Sequence, residues 1–148
     1  VLGYSDIVRA IFEDIDERES ILLVSPDREV VQEFSDREIK ALTAEPDDEE
    51  SLRNAGVQRA RAVIVATTDD AADALTILTV RQLDPDVQIL AVATNRENMK
   101  KLERAGANTV ISPAVIAAQQ LVGLALGVDS DTGFDLLNEQ RNDEPDSS

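Results

Sequence analysis

The chain has 148 residues, 43% of them apolar, which suits one domain with a packed core and gives no sign of a second. It has no cysteine and no histidine, which excludes disulfides, thiol and imidazole chemistry and the usual zinc ligand sets, leaving carboxylates as the only charged metal ligands. Its 30 acidic residues against 14 basic ones give a net charge of −16, a field that repels nucleic acid and anionic membrane surfaces.

Apolar runs rich in β-branched residues recur about every 20 to 25 residues with helix-like patterns between them, the signature of a parallel sheet with crossover helices. Val1 to Gly3 reads as the end of a first strand, so short that the sequence is expected to begin inside it, as an excised fragment. The turn Gly3-Tyr4-Ser5-Asp6-Ile7 runs into a helix from Ser5 to Glu17, with Ile7, Val8, Ile11, Phe12 and Ile15 on one face and Ser5 or Asp6 as cap. Of the dinucleotide fingerprint G-x-G-x-x-G only Gly3 survives, because Ser5 and Val8 stand at the second and third glycines.

A second strand is expected at Ser20 to Val24, a helix from Asp27 to Ser35, a third strand at Ile39 to Ala44, and a short helix started by Asp47 or Asp48 and stopped by Gly56. Ala62 to Ala66 is apolar on both faces and is expected at the centre of the sheet. The helix from Asp70 to Leu83 carries more apolar surface than one core-facing stripe needs. A strand at Val87 to Ala93, a helix from Asn95 to Arg104 and a strand at Asn108 to Ile111 follow, and Ser112-Pro113 opens a last helix.

That last helix, Pro113 to Leu126, is apolar almost all round with no further strand to cover it, which predicts burial against a partner, burial within one protomer being the plainer alternative. Beyond it only Phe134, Leu136 and Leu137 suggest another helical turn, and 129–148 reads as an acidic, partly disordered tail. The most apolar run, Ala114 to Val128, is too short to cross a bilayer, so no direct membrane insertion is expected. The charge and the scarcity of lysine (Lys40, Lys100 and Lys101) point to a salt-rich cytoplasm, since the Debye length falls to about 3 Å at 1 M salt. An ordinary acidic protein is the simpler alternative.

Together the opening LGYSDIVRAI, the block ALTAEPDDEESLRNAGVQRARAVIVATTDD, LTVRQLDPDVQILAVATNREN and the KLERAGANTVISP run resemble the TrkA-N domain, also called the regulator of potassium conductance (RCK) domain. The resemblance covers residues 1–128. It implies an α/β fold, a Rossmann-type doubly wound parallel sheet of strand order 3-2-1-4-5-6 with a C-terminal crossover helix. It further implies a cytoplasmic, non-catalytic regulatory domain of a potassium channel or potassium uptake system at the inner face of the membrane. Its ligand would be NAD(H) or an adenine nucleotide (ATP or ADP). Protomers would assemble as a homodimer or higher ring through the Pro113 to Leu126 helix, which packs on a neighbour, and ligand binding would act on gating through dimer geometry.

In such a fold the nucleotide lies over the C-terminal ends of the strands, between the first and the fourth. Gly3, Tyr4, Ser5, Asp6 and Ile7 would then form the phosphate turn, where the Ser5 hydroxyl can donate to a phosphate although Ser5 and Val8 forgo close backbone approach. The ribose acid of the family is missing: its place falls on Ser25-Pro26-Asp27, so Asp27 substitutes, or only caps the following helix, or Arg28 takes an extra phosphate. Glu45 and Asp47 match the adenine end, and Ala66, Thr67, Thr68 and Asp69 close the opposite side, with Asp69 or Asp70 as a helix cap. Ala66, Val92 and Thr94 stand where calcium-gated members carry ligands, so no metal site is expected, and the acidic run from Asp47 to Glu50 reads as a solvated helix start. Two rivals remain. One is the nucleotide-binding domain of an enzyme, a nicotinamide-dependent oxidoreductase or a hydrolase-linked sensor. The other is a degenerate Rossmann scaffold for assembly that binds no ligand.

Overall fold

The computed structural model describes residues 1–127; the tail and the turn expected at Phe134, Leu136 and Leu137 lie outside the described residues. The chain divides into two compact units, Val1–Ser112 and the segment from Pro113 onward. In the first unit strands and helices alternate: α1 (Asp6–Asp14), β1 (Leu22–Ser25), α2 (Arg28–Asp36), β2 (Lys40–Thr43), α3 (Glu49–Ala55), β3 (Ala62–Val65), α4 (Asp70–Leu83), β4 (Gln88–Val92), α5 (Arg96–Ala105) and β5 (Thr109–Ile111). A single 3-10 turn, Val57–Arg59, joins α3 to β3.

All strand pairs are parallel: β1 with β2, β3 with β4, and β4 with β5. The expected first strand is reduced to one residue, Leu2, which bridges Val24 on one side and Val65 on the other. Its backbone is hydrogen-bonded both ways, Leu2 N donating to Ile64 O at 2.7 Å and Val24 N to Val1 O at 2.9 Å, so β1 and β3 are joined through it. Pairing stops at once because Gly3 turns to φ 90°. α1 likewise ends at Asp14 rather than Glu17: its last turn has no basic residue, and Glu13 and Asp14 sit where the helix dipole disfavours acids. α3 ends as its sequence asks, on Gly56 in the left-handed conformation.

Helices cover both faces of the sheet. On one, α1 and α2 bury Val8, Phe12, Val30 and Phe34 against Leu23 and Ala66. Phe34 is met edge-on by Phe12 at 5.0 Å and by Tyr4 at 6.0 Å, which gathers three of the four aromatic residues there. On the other face Leu52, Ile77, Val80, Leu83 and Leu102 pack on Leu2, Val24, Val63, Val65, Ile89 and Ala91. Ala62–Val65 is therefore flanked on both edges, as its apolar run predicts.

α4 resolves its surplus of apolar surface by facing Ile77, Val80 and Leu83 inward and leaving Leu75 and Leu78 exposed. Near its end Arg81 donates to the carbonyls of Pro85, Val87 and Gly106 and to Asn108 Oδ1 at 2.7–2.9 Å, tying two loops to the helix. The second unit holds α6 (Pro113–Ala125), on which Ile116, Leu121, Val122 and Leu124 are exposed. Among the described residues no helix is long and apolar enough to cross a membrane.

Candidate functional site

Leu2 lies where chain order reverses, with β1 and β2 to one side and β3, β4 and β5 to the other. In open parallel sheets that point leaves a crevice beyond the C-terminal ends of the strands, which here belongs to the turn after Leu2. Gly3 makes the turn possible in two ways. Its φ of 90° suits glycine, and a Cβ there would come within 2.1 Å of Thr67 Cγ2. The residue after the first strand thus packs directly on the wall opposite, at the end of β3.

Ser5 holds the same wall. It occupies the N-cap position of α1 without capping it, because its hydroxyl donates to Ala66 O at 2.9 Å. That bond uses the hydroxyl's one proton, so the side chain is not the phosphate donor that its sequence position suggests. The consequence is an α1 N-terminus with no side-chain cap. The four helices that follow are capped by Asp27, Asp48, Asp69 and Asn95. Of the other turn residues, Asp6 is exposed in the first helical turn and Ile7 is half-buried. Tyr4 turns away onto Phe34, where its hydroxyl accepts a bond from Arg9 Nη2 at 2.6 Å, and Arg9 in turn pairs with Glu33 at 2.8 Å. Val8, at the third glycine's place, is fully buried in the core beneath α1.

On the ribose side β1 ends at Ser25, which is buried, its Oγ accepting from Asp27 N at 3.2 Å. Asp27 Oδ1 accepts from the backbone of Glu29 at 2.9 Å and Val30 at 3.3 Å, so this carboxylate caps α2. Arg28 is exposed at the first position of α2. Glu45 and Asp47 are exposed in the loop after β2, beside the Ala44–Ser25 backbone bond. Asp48 rather than Asp47 caps α3, and its bonds from Ser51 hold its carboxyl below the usual range.

The opposite wall contains one residue that sequence reasoning missed, Asp73, and one that it offered only as a helix cap, Asp70. Asp69 caps α4 through Ala71 N and Ala72 N, and Thr68 is exposed beside it. Asp73, fully buried one turn on, accepts from Thr67 N at 3.1 Å and from Thr67 Oγ1 at 2.7 Å. Burial pushes its carboxyl above the ordinary value of 3.8, the Thr67 bonds oppose the shift, and Asp70 and Asp69 reinforce it. Asp70 reaches the other way, taking Thr94 N at 3.1 Å, Thr94 Oγ1 at 2.6 Å and Asn98 Nδ2 at 2.7 Å. The first turn of α4 therefore pins the ends of both β3 and β4. A signal was present, namely acids three apart on the same helical face as Ile77 and Val80, though an acid-rich sequence hides it.

A cavity of about 620 Å³ lies at the other end of the sheet, lined by Val1, Leu22, Lys40, Arg59, Ala62 and neighbours, and it holds none of the predicted site residues. Among the described residues no three acidic side chains are grouped to hold a metal ion.

Several known proteins are similar. An uncharacterized protein of Methanothermus fervidus is 31% identical over 114 residues, covering 75% of this chain and 18% of its own length. The probable potassium channel protein 2 of Methanocaldococcus jannaschii is 26% identical over 130 residues, 85% of this chain and 38% of that protein. This chain thus spans well under half the length of these relatives. Among solved structures, the GsuK channel bound to NAD superposes with a TM-score of 0.73 at 26% identity, covering 82% of this chain and 22% of that one. GsuK has also been solved bound to ADP. The NAD(P)-binding domain of an exopolyphosphatase-related protein from Archaeoglobus fulgidus shares the fold, with a TM-score of 0.74 at 22% identity over 86% of this chain and 96% of that one. The TrkA-N domain model matches residues 1–113, and the chain belongs to that family.

Proposed function

We propose that this chain is a non-catalytic nucleotide-sensing domain that regulates a potassium channel or potassium uptake system from the cytoplasmic side. The observation that carries the proposal is the α1 N-terminus: it has no side-chain cap, follows a positive-φ glycine, and stands at the reversal point of a parallel sheet. First-turn N–H groups at the positive end of a helix dipole suit a phosphate. The channel relatives and the NAD and ADP complexes of GsuK support a nucleotide as the ligand, NAD(H) or ATP/ADP. In this reading the backbone of Gly3, Tyr4, Ser5, Asp6 and Ile7 meets the phosphates, Ser25, Asp27, Arg28 and Glu45 lie toward the ribose and adenine, and Ala66, Thr67, Thr68 and Asp69 close the far side.

Protomers pair, as a dimer or within a ring, through the apolar α6 segment from Pro113 to Leu126. A ligand influences the membrane part only by binding one protomer arrangement better than another, by up to a few kcal/mol. Calorimetric titration with NAD, NADH, ATP and ADP in molar KCl tests the sensor. Binding by any of them supports it, and silence across the panel overturns it in favour of an assembly scaffold. Size measurement in the same buffer tests the pairing, which a clean monomer refutes.

A further inference from the structure

We propose that the ribose end of this crevice selects a dinucleotide carrying a 2′-phosphate, of the NADP(H) class, over its unphosphorylated counterpart. The inference rests on the nucleotide reading above and concerns which nucleotide is preferred. In dinucleotide folds a carboxylate at the end of the second strand accepts from the ribose hydroxyls, and where it is absent an arginine nearby accommodates a 2′-phosphate.

Both conditions are met at the end of β1. The strand closes on Ser25, buried and uncharged, whose oxygen already accepts from Asp27 N. The first acid after the strand, Asp27, has its Oδ1 bonded to two backbone N–H groups of α2. Turning that carboxylate toward a ribose would uncap the helix. Arg28 follows at once, exposed, and makes no hydrogen bond or ion pair among the described residues. In a chain with 30 acids to 14 bases, a guanidinium that no carboxylate engages is free to form charge-assisted bonds with an incoming phosphate. Of the two acids that flank it in sequence, Asp27 is held on the α2 backbone and Glu29 is exposed, so salt and water screen the repulsion.

The test is a paired titration of the protein in KCl with NADPH against NADH, and with adenosine 2′,5′-bisphosphate against ADP. The expected result is binding about tenfold tighter for each 2′-phosphorylated ligand, a ratio that collapses to near unity or inverts in Arg28→Glu. Ser25→Asp should shift preference toward NADH; because Ser25 is buried, the exposed Arg28→Glu variant decides should that protein not fold. NADH binding as tightly as NADPH, or a preference that survives Arg28→Glu, overturns the selectivity while leaving the sensor intact. If no nucleotide binds, both readings fail together.

Discussion

Replacing Gly3 with alanine probes the contact that joins the turn to the opposite wall. A Cβ at residue 3 would lie 2.1 Å from Thr67 Cγ2 and 3.5 Å from Thr67 Cβ, so the methyl group alone is in the way. That methyl cannot simply rotate aside, because Thr67 Oγ1 on the same carbon is bonded to Asp73 at 2.7 Å. Alanine at φ 90° costs roughly 1–2 kcal/mol by its backbone conformation and the overlap about 1–3 kcal/mol more, while a stiffer unfolded chain returns about 0.4–1 kcal/mol. The net expectation is a loss of about 3 kcal/mol, or roughly 10 °C in melting temperature for a domain of this size. Thr67→Ser removes Cγ2 and keeps the hydroxyl, so in that background Gly3→Ala should cost only about 1 kcal/mol. Chemical denaturation of the four proteins of this cycle in molar KCl measures the coupling. An equal penalty in both backgrounds, or one below about 1 kcal/mol in the parent, refutes the contact as the reason for the glycine.

Three further outcomes follow from the same geometry. Because burial raises the Asp73 carboxyl above 3.8 in the folded protein, the fold holds its proton more tightly than the unfolded chain. Its contribution is thus fully present below that value and is lost as pH rises through the raised one, so parent stability relative to Asp73→Asn should fall as pH is raised from 3.8 upward in urea titrations; a flat difference refutes it. Arg81→Met leaves the carbonyls of Pro85, Val87 and Gly106 without their donor and should lose about 2–3 kcal/mol in thermal unfolding, with Arg81→Lys recovering less than half. The net charge of −16 should make the melting temperature climb as KCl is raised from millimolar to molar, and indifference to salt would remove the case for a salt-adapted protein.

The alternation of elements was legible because both faces of the sheet are covered: runs such as Ala62–Val65 are apolar throughout, and stripes such as Val30 with Phe34 mark single helix faces. The site was legible only in outline. Gly3 announced a turn, but nothing local shows that its missing side chain makes room for Thr67, a residue 64 positions away. Ser5 looks like a cap or a phosphate donor in sequence and is neither, because the carbonyl it serves, Ala66 O, lies on a different strand end. The rotation of α4 was hidden for a similar reason. Acids in the first turn of a helix suit its dipole wherever they point, so the one local mark that Asp70 and Asp73 are buried is their place on the face of Ile77 and Val80.

These two carboxylates also separate the chain's acids into kinds. Asp27, Asp48 and Asp69 sit on helix N-termini, and Asp70 and Asp73 are buried on backbone N–H and hydroxyl donors, with no lysine or arginine bonded to any of them. Among the described residues no buried side-chain polar atom lacks a partner, so this acidic framework is satisfied without cations. Its bonds are short-ranged and partly shielded from solvent, where added salt has little leverage. The repulsion that salt must relieve comes instead from exposed acids such as Glu17, Glu19, Glu29 and Glu50. Salt should therefore act on the stability of the whole fold while leaving the shape of the crevice walls, set by Asp70 and Asp73, the same at low and high ionic strength.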